Sequence, residues 1–297
     1  MSAAPLQTAT ASAPGTCGEL AQGPCANGTG EAREVMITCP VNRRVTARLS
    51  LGPGGGRIHA PADAPRTLRA LQALPPERHQ DLWLTLDNPL PRGRGMASST
   101  ADLCAALAAR LRLAGQSVFP EDLARRVLAI EPSDGIMIPG IALFDHREGR
   151  VMESLGAPPP LWLLCLDFGG RVDTLGFNAR NQPCRNDQAG EAVSEVRAGL
   201  AEGDLRLIGS GATASTRARQ DRLPHPALEA VQQLAGKTDA LGINRAHSGT
   251  VLGLLFSEPE QAEAARHRAG KQLTGLLRAE CLQLEGGGVT TEDPQSD

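Results

Sequence analysis

Pro91, Arg92, Gly93, Arg94, Gly95, Met96, Ala97, Ser98, Ser99, Thr100 and Ala101 form a run that ends in Asp102. Gly93, Gly95 and Ala97 let the backbone come close to a ligand. Ser99 and Asp102 have the S-x-x-D spacing of a helix start. Leu103, Cys104, Leu107, Ala108 and Leu111 then recur at helical spacing, which predicts a helix with one apolar face. A glycine-rich turn that opens a helix aims free N–H groups at one point, and the helix dipole adds positive potential there. That chemistry suits an anion, above all phosphate. The same spacing also describes a capped helix after an ordinary turn, so residues further along must decide. Two other phosphate motifs fail in detail. The G-x-G-x-x-G pattern needs glycine where Ser98 stands, and Gly236-Lys237-Thr238 has Val231 where a P-loop needs its first glycine.

A second group follows at Glu131-Pro132-Ser133-Asp134-Gly135. Pro132 stops the preceding helix and holds two carboxylates on a loop. Asp134-Gly135 by itself is also a common turn. Two nearby carboxylates meet the needs of a magnesium–nucleotide site: an oxygen ligand holds the metal, and another accepts the proton of an attacking hydroxyl. Phosphoryl transfer otherwise asks for a cradle on the phosphates and a placed acceptor. Lys237 and Lys271 are the only lysines among 30 lysines and arginines, so a side-chain cation on phosphate would be an arginine. Arg92 and Arg94 stand in the loop itself.

The pattern Pro91-x-x-x-Gly95-Met96-x-Ser98-Ser99-x-Ala101 resembles the nucleotide loop of the GHMP kinases. Two further segments are similar to that superfamily: Ala13-Pro14-Gly15-Thr16-Cys17-Gly18-Glu19-Leu20, and the glycine-rich His247-Ser248-Gly249-Thr250-Val251-Leu252-Gly253. The resemblance implies a two-domain α+β fold, with an N-terminal domain like ribosomal protein S5 and a C-terminal ferredoxin-like domain. It implies ATP and Mg2+ as cofactors, with Ser99 and Glu131 on the metal and Asp134 as base or as orienter of the acceptor. Thr16 stands where mevalonate kinases carry a lysine, so lysine-assisted catalysis from that segment is not available.

Further short motifs resemble the L-threonine kinases of cobalamin biosynthesis, of the propanediol-utilisation type. They are Gln22-Gly23, Thr38-Cys39-Pro40-Val41, Glu131-Pro132-Ser133-Asp134 with Leu143-Phe144-Asp145-His146, and Asp167-Phe168-Gly169-Gly170 with Val172-Asp173-Thr174 and Phe177-Asn178. Asn42-Arg43-Arg44 departs from that pattern. The resemblance implies L-threonine as acceptor, phosphorylated on its side-chain hydroxyl to O-phospho-L-threonine. A free amino acid needs an acidic partner for its ammonium and donors for its carboxylate. Glu19 and Asp173 are the candidates for the first, Arg171 for the second, and His247 for substrate or phosphate. Two alternatives stay open: a GHMP kinase for another small alcohol such as homoserine, and a non-catalytic ligand-binding member. The joint presence of Ser99 and Glu131 argues against the latter.

These residues need elements to place them. A flexible leader is expected over 1–12, a nucleotide-binding N-terminal domain over 13–157, a C-terminal domain over 158–285 and a polar tail over 286–297. Within them a glycine-rich loop is expected over 16–30 and strand over 35–51, interrupted at Pro40. Helices are expected over 64–74, from Ser99, and over 119–130, where Pro120 is preset for a first turn. Strands fall at 82–86 and 141–146, with Asp145 and His146 read as a turn. The Gly156-Ala157-Pro158-Pro159-Pro160 run marks the domain boundary. Beyond it come a buried strand at 161–166 and helices over 191–200, 204–216 (interrupted near Gly209 and Gly211) and 226–235. A hairpin of 240–244 with 250–256 follows, then a helix over 258–273 and a strand over 276–284.

Composition narrows the partners. The 297 residues are 41% hydrophobic and 21% charged with a formal charge of -3, which gives no basic excess for nucleic acid or an anionic membrane. Aromatics make up 2% with no tyrosine, so base-stacking platforms are excluded. Seven cysteines without a C-x-x-C pair read as reduced cytoplasmic thiols, with Cys17 a packing residue. No secretory signal and no membrane-length apolar run is expected, and the spacing says nothing of oligomeric state.

Overall fold

Period-two alternation builds one long hairpin on which everything else is laid. The computed structural model describes residues 7–26, 32–76, 80–170, 187–220, 223–292 and 295–296. Strands β1 (Gln7–Ala26) and β2 (Ala32–Pro53) pair antiparallel from Gln7 opposite Leu51 to Ala26 opposite Ala32. Ala9, Ala11 and Ala13 on β1 and Val45, Ala47 and Leu49 on β2 face the core. The expected leader is therefore strand from Gln7 onward, and the expected loop is strand as far as Ala26. Alanine is too small to make the alternation conspicuous. Pro14, Gly15 and Gly18 sit where the pairing slips, between Pro14 and Gly15 and between Thr16 and Glu19. Pro40 does not interrupt β2; it lies opposite Thr16 beside the same irregularity.

The other strands are β3 (Ile58–His59), β4 (Gln80–Asp87), β5 (Ala142–Phe144), β6 (Met152–Ser154), β7 (Trp162–Asp167), β8 (Gly242–Arg245), β9 (Val251–Phe256), β10 (Arg278–Gln283), β11 (Thr290–Thr291) and β12 (Gln295–Ser296). Their order is β10-β7-β9-β8-β1-β2-β4-β3, with β5 on β2 and β6 on β5. The two halves of the sheet meet where Glu19 of β1 pairs with Arg245 of β8. The tail expected over 286–297 also joins the sheet: β11 and β12 both pair with β1.

The helices are α1 (Pro65–Gln72), α2 (Ser98–Leu113), α3 (Pro120–Leu128), α4 (Asp187–Glu202), α5 (Leu205–Ala218), α6 (Leu228–Ala235) and α7 (Pro259–Gln272). Helix α2 is not the one-sided helix its spacing predicts. Residues Leu103 through Ala109 are all buried, and so are Asp102 and Arg110. The alanines let sheet and helices close on it from several sides. Helix α5 is capped by Asp204, whose Oδ1 accepts from the N–H groups of Arg206 (2.9 Å) and Leu207 (3.1 Å). It runs unbroken through Gly209 and Gly211. A Cβ at Gly209 would stand 2.2 Å from the carbonyl oxygen of Leu241, and one at Gly211 2.7 Å from Val196, so these glycines serve close packing.

The apolar run of β7 divides between two cores. Leu161, Leu163 and Cys165 join the large core with β1, β2 and α2. Leu164 and Leu166 join a smaller one with Leu252, Leu254, Phe256 and the buried faces of α6 and α7. A strand covered on both faces needs no polar alternation. No described helix is long and apolar enough to cross a membrane. The six described cysteines are free thiols.

Candidate active site

The glycine-rich turn is held by its carbonyls. Met96 O accepts from Thr16 N–H at 3.1 Å and Gly95 O from Gly18 N–H at 3.3 Å. Arg94 O accepts from Thr250 N–H at 2.9 Å and Val251 N–H at 3.1 Å. All three glycine-containing segments thus converge on one turn. In a trans peptide the N–H points opposite the C=O, so the N–H groups of Gly95, Met96 and Ala97 turn away from β1 and β9. These three residues line a cleft of about 500 Å³. Gly93 (φ 74), Gly95 (φ 85) and Ala97 (φ 55) take the left-handed conformation that curls successive N–H groups into an anion-binding nest. Room is tight here: a Cβ on Gly95 would stand 2.2 Å from that of Ala246, and one on Gly249 2.2 Å from Arg94 O.

The expected cap between Ser99 and Asp102 is absent, and α2 begins without a side-chain cap. Asp102 instead accepts from Arg92 Nη1 and from Asn88 Nδ2, both at 2.7 Å. Arg92 also reaches Asp63 at 3.2 Å, and Arg94 Nε faces Asp167 at 3.5 Å. Both loop arginines therefore brace the turn through protein carboxylates.

Ser99 Oγ donates to Glu131 Oε1 at 2.5 Å across the floor of the cleft. Glu131 is placed by the end of α3, where Glu131 N–H bonds Val127 O at 3.1 Å before Pro132 breaks the helix. Ser133 N–H bonds His146 O at 3.0 Å and fastens the loop to the end of β5. Burial raises the Glu131 pKa; the Ser99 hydrogen bond and the Arg66 charge oppose that rise. Arg66, from α1, brings Nη1 to 2.5 Å from Glu131 Oε2 and to 3.5 Å from Ser99 Oγ. Its contact with Oε2 is ionic and lies outside hydrogen-bond alignment. Among the described residues no three His, Cys, Asp or Glu side chains form a metal cage. A metal here would have Ser99 and Glu131 as hard oxygen ligands and would take the rest from phosphate and water, which suits Mg2+.

Asp134 lines the same cleft, and the buried Glu19 is its neighbour. Burial pushes both pKa values up, Glu19 well above the carboxylate range, with the Asp134 charge the next cause. The two carboxyls are close neighbours, and each shifts the titration of the other. Glu19 is fixed where β1 bulges, and its backbone carbonyl accepts from Asn244 Nδ2 at 3.2 Å.

His247 also lines the cleft, with Nδ1 2.5 Å from Gln22 Oε1 and its ring 4.5 Å from that of His146. Burial, then the neighbouring charges, lowers the His247 pKa well below its usual value, and burial takes His146 down to about 3. Both rings are neutral at physiological pH. Asp145 does organise a turn, accepting from the N–H groups of Arg147, Glu148 and Arg150, but His146 faces the cleft.

Three arginines absent from the sequence-level candidates lie beside these histidines. Arg219 Nη1 donates to Glu34 Oε1 at 3.2 Å with both side chains buried. Arg147 approaches Glu34 Oε2 at 4.0 Å, and Arg245 donates to Gln220 Oε1 at 3.4 Å. Burial, then the Arg219 charge, lowers the Arg245 pKa to about 10. Arg147 and Arg245 flank the two histidines in sequence, a weak signal; nothing local marks Arg219. Arg171 and Asp173 lie outside the described residues.

The chain is similar to known proteins in sequence and fold. Residues 65–143 match the family described as GHMP kinases N terminal domain, and residues 196–274 match GHMP kinases C terminal. The chain is similar to the L-threonine kinase of Salmonella typhimurium, with 32% identity over 294 residues, 95% of each chain. It is 31% identical over 256 residues to the L-threonine kinase of Citrobacter freundii, covering 84% of this chain and 86% of that one. In fold it is similar to the homoserine kinase from Cytophaga hutchinsonii, with a TM-score of 0.70 at 19% identity over 96% of this chain and 97% of that one. The chain belongs to the GHMP kinases, has their two-domain fold of mixed sheet and helices, and is a phosphotransferase acting on an alcohol.

Proposed function

We propose that the protein is an ATP- and Mg2+-dependent L-threonine kinase, transferring the γ-phosphoryl group to the side-chain hydroxyl and releasing O-phospho-L-threonine and ADP. The observation that carries the kinase reading is the 2.5 Å contact of Ser99 with Glu131 beneath the anion nest, with Asp134 in the same cleft. The N–H groups of Gly95, Met96 and Ala97 cradle phosphate oxygens. Ser99 and Glu131 would hold Mg2+, which when bound neutralises charge developing on the phosphates. Asp134 orients the acceptor hydroxyl and takes its proton as the new O–P bond forms and the bond to the β-phosphate oxygen breaks, the electron pair leaving with ADP.

Threonine is supported by the 31–32% identity to two L-threonine kinases over most of the chain and by the arginines behind the two cleft histidines, with Asp134 in the cleft itself. The Arg219, Arg245 and Arg147 group suits a carboxylate, and Asp134 suits an ammonium. His247 and His146, held neutral, can hydrogen-bond the substrate without adding charge. The product would serve as precursor of the cobalamin aminopropanol linker. The test is ADP release from Mg-ATP with L-threonine, L-serine and L-homoserine. Highest kcat/KM with threonine is expected, with serine lower by roughly 10–200-fold for its missing methyl. Turnover of homoserine without turnover of threonine would move the assignment.

The Glu19–Asp134 pair predicts a pH signature. Asp134 works ionised and its folded pKa is raised, so kcat/KM holds above that pKa and falls as pH drops through it, at a higher pH than an ordinary aspartate gives. The neighbouring Glu19 carboxyl lowers the Asp134 pKa. Glu19→Ala removes it and should move the acid limb to still higher pH, whereas Glu19→Gln, which keeps a donor, should restore the limb towards that of the wild type. A pH–rate series on the three proteins checks this, and an unmoved limb in Glu19→Ala would discard the pairing.

A further inference from the structure

One guanidinium nitrogen touches both groups assigned to the metal. Arg66 Nη1 lies 2.5 Å from Glu131 Oε2 and 3.5 Å from Ser99 Oγ. The two sides of the contact differ in freedom. The Glu131 side chain is 2% exposed and fixed by the α3 end, while that of Arg66 is 35% exposed on the first turn of α1. A buried carboxylate needs a countercharge. Mg2+ approaches its oxygen ligands to about 2.0–2.1 Å, and Arg66 Nη1, within 3.5 Å of both Ser99 Oγ and Glu131 Oε2, occupies and charges the space a cation shared by the two side chains would take. Arg66 and the metal therefore exclude one another at Glu131.

We propose that Arg66 and the divalent cation are alternative partners of Glu131, and that arrival of the metal–nucleotide moves the Arg66 guanidinium from the carboxylate onto the phosphates. The idea rests on Ser99 and Glu131 being the metal's ligands. The anion nest and α1 border the same cleft, as Arg66, Gly95 and Ala97 all line it, so a released guanidinium meets the triphosphate within it. Arg92, by contrast, is committed to Asp102 and Asp63. Arg66 then keeps Glu131 compensated before substrate arrives and adds a forked donor to the phosphates afterwards.

The two roles give opposite signs in a binding experiment, which a purely structural arginine would not. Mn2+ stands in for the metal because its electron paramagnetic resonance reports free ion directly. For nucleotide-free full-length protein, Arg66→Gln should bind Mn2+ roughly five- to tenfold more tightly than wild type, because a competing cation is gone. In the presence of Mn2+ the same variant should bind ADP roughly tenfold more weakly, because a charge-assisted phosphate contact is lost. Arg66→Ala carries the same two expectations if the glutamine variant does not fold. Unchanged or weaker Mn2+ binding in a folded Arg66 variant, with normal Mn2+-dependent ADP binding by wild type, overturns the proposal and leaves the kinase reading standing. Absence of Mn2+-dependent ADP binding by wild type overturns both.

Discussion

Glu131→Gln should lower kcat/KM by roughly 10²–10³-fold while leaving the fold intact, on the scale of removing one preorganised electrostatic contact at a transferring group. The side chain keeps its shape and can still accept from Ser99 Oγ, so what disappears is the negative charge. Glu131 is buried and its pKa is already pushed up by that burial. A neutral amide in its place spares the desolvation of a carboxylate, so thermal unfolding should occur at or near the wild-type temperature. Activity and stability then separate. Glu131→Ala should lose as much activity, and there the Ser99 hydroxyl and the Arg66 guanidinium lose their shared partner as well. The measurement is steady-state turnover across a Mg2+ titration, with melting curves on the same samples. If Glu131→Gln keeps more than a third of wild-type turnover at all Mg2+ concentrations, Glu131 is not the metal's carboxylate.

The parts of this site legible beforehand are those whose chemistry is local. Residues 91–101 announce a turn feeding a helix through their glycines and serines, and Pro132 alone fixes Glu131 and Asp134 on a loop. Strand assignments resting on continuous, leucine-rich apolar runs also held, as for β7 and β9. What failed depended on distant partners. β1 alternates alanine with threonine and serine, so its burial follows only from the covering β2 and α2. Asp102 has cap spacing, yet the Arg92 guanidinium and the Asn88 amide compete successfully for it. Gly209 and Gly211 read as breaks until Leu241 and Val196 pack against them. The buried arginines were hidden for the same reason. An arginine is ordinarily solvated, and Glu34, 185 residues from Arg219, helps to make its burial tolerable.

That buried charge frames the remaining large effect, expected at Asp134. Asp134→Ala should cost roughly 10²–10⁴-fold in kcat if the carboxylate takes the acceptor proton as a general base. The size of the loss separates two roles. A carboxylate that only orients the hydroxyl is partly replaced by Asp134→Asn, which keeps a hydrogen-bond acceptor, so the asparagine variant would recover much of the activity. A base is not replaced, and the asparagine variant should be nearly as impaired as the alanine one. Substrate affinity gives an independent reading, because loss of a negative charge beside the ammonium raises KM for threonine in both variants, whereas loss of the base alone leaves KM in place. Titration adds a control. With a neutral side chain at position 134 the titrating carboxylate is gone, so the acid limb of the pH–rate profile should vanish from both Asp134 variants. A loss below tenfold in Asp134→Ala, or a surviving acid limb, would place the proton acceptor elsewhere and leave Ser99, Glu131 and the anion nest to act by positioning and charge alone.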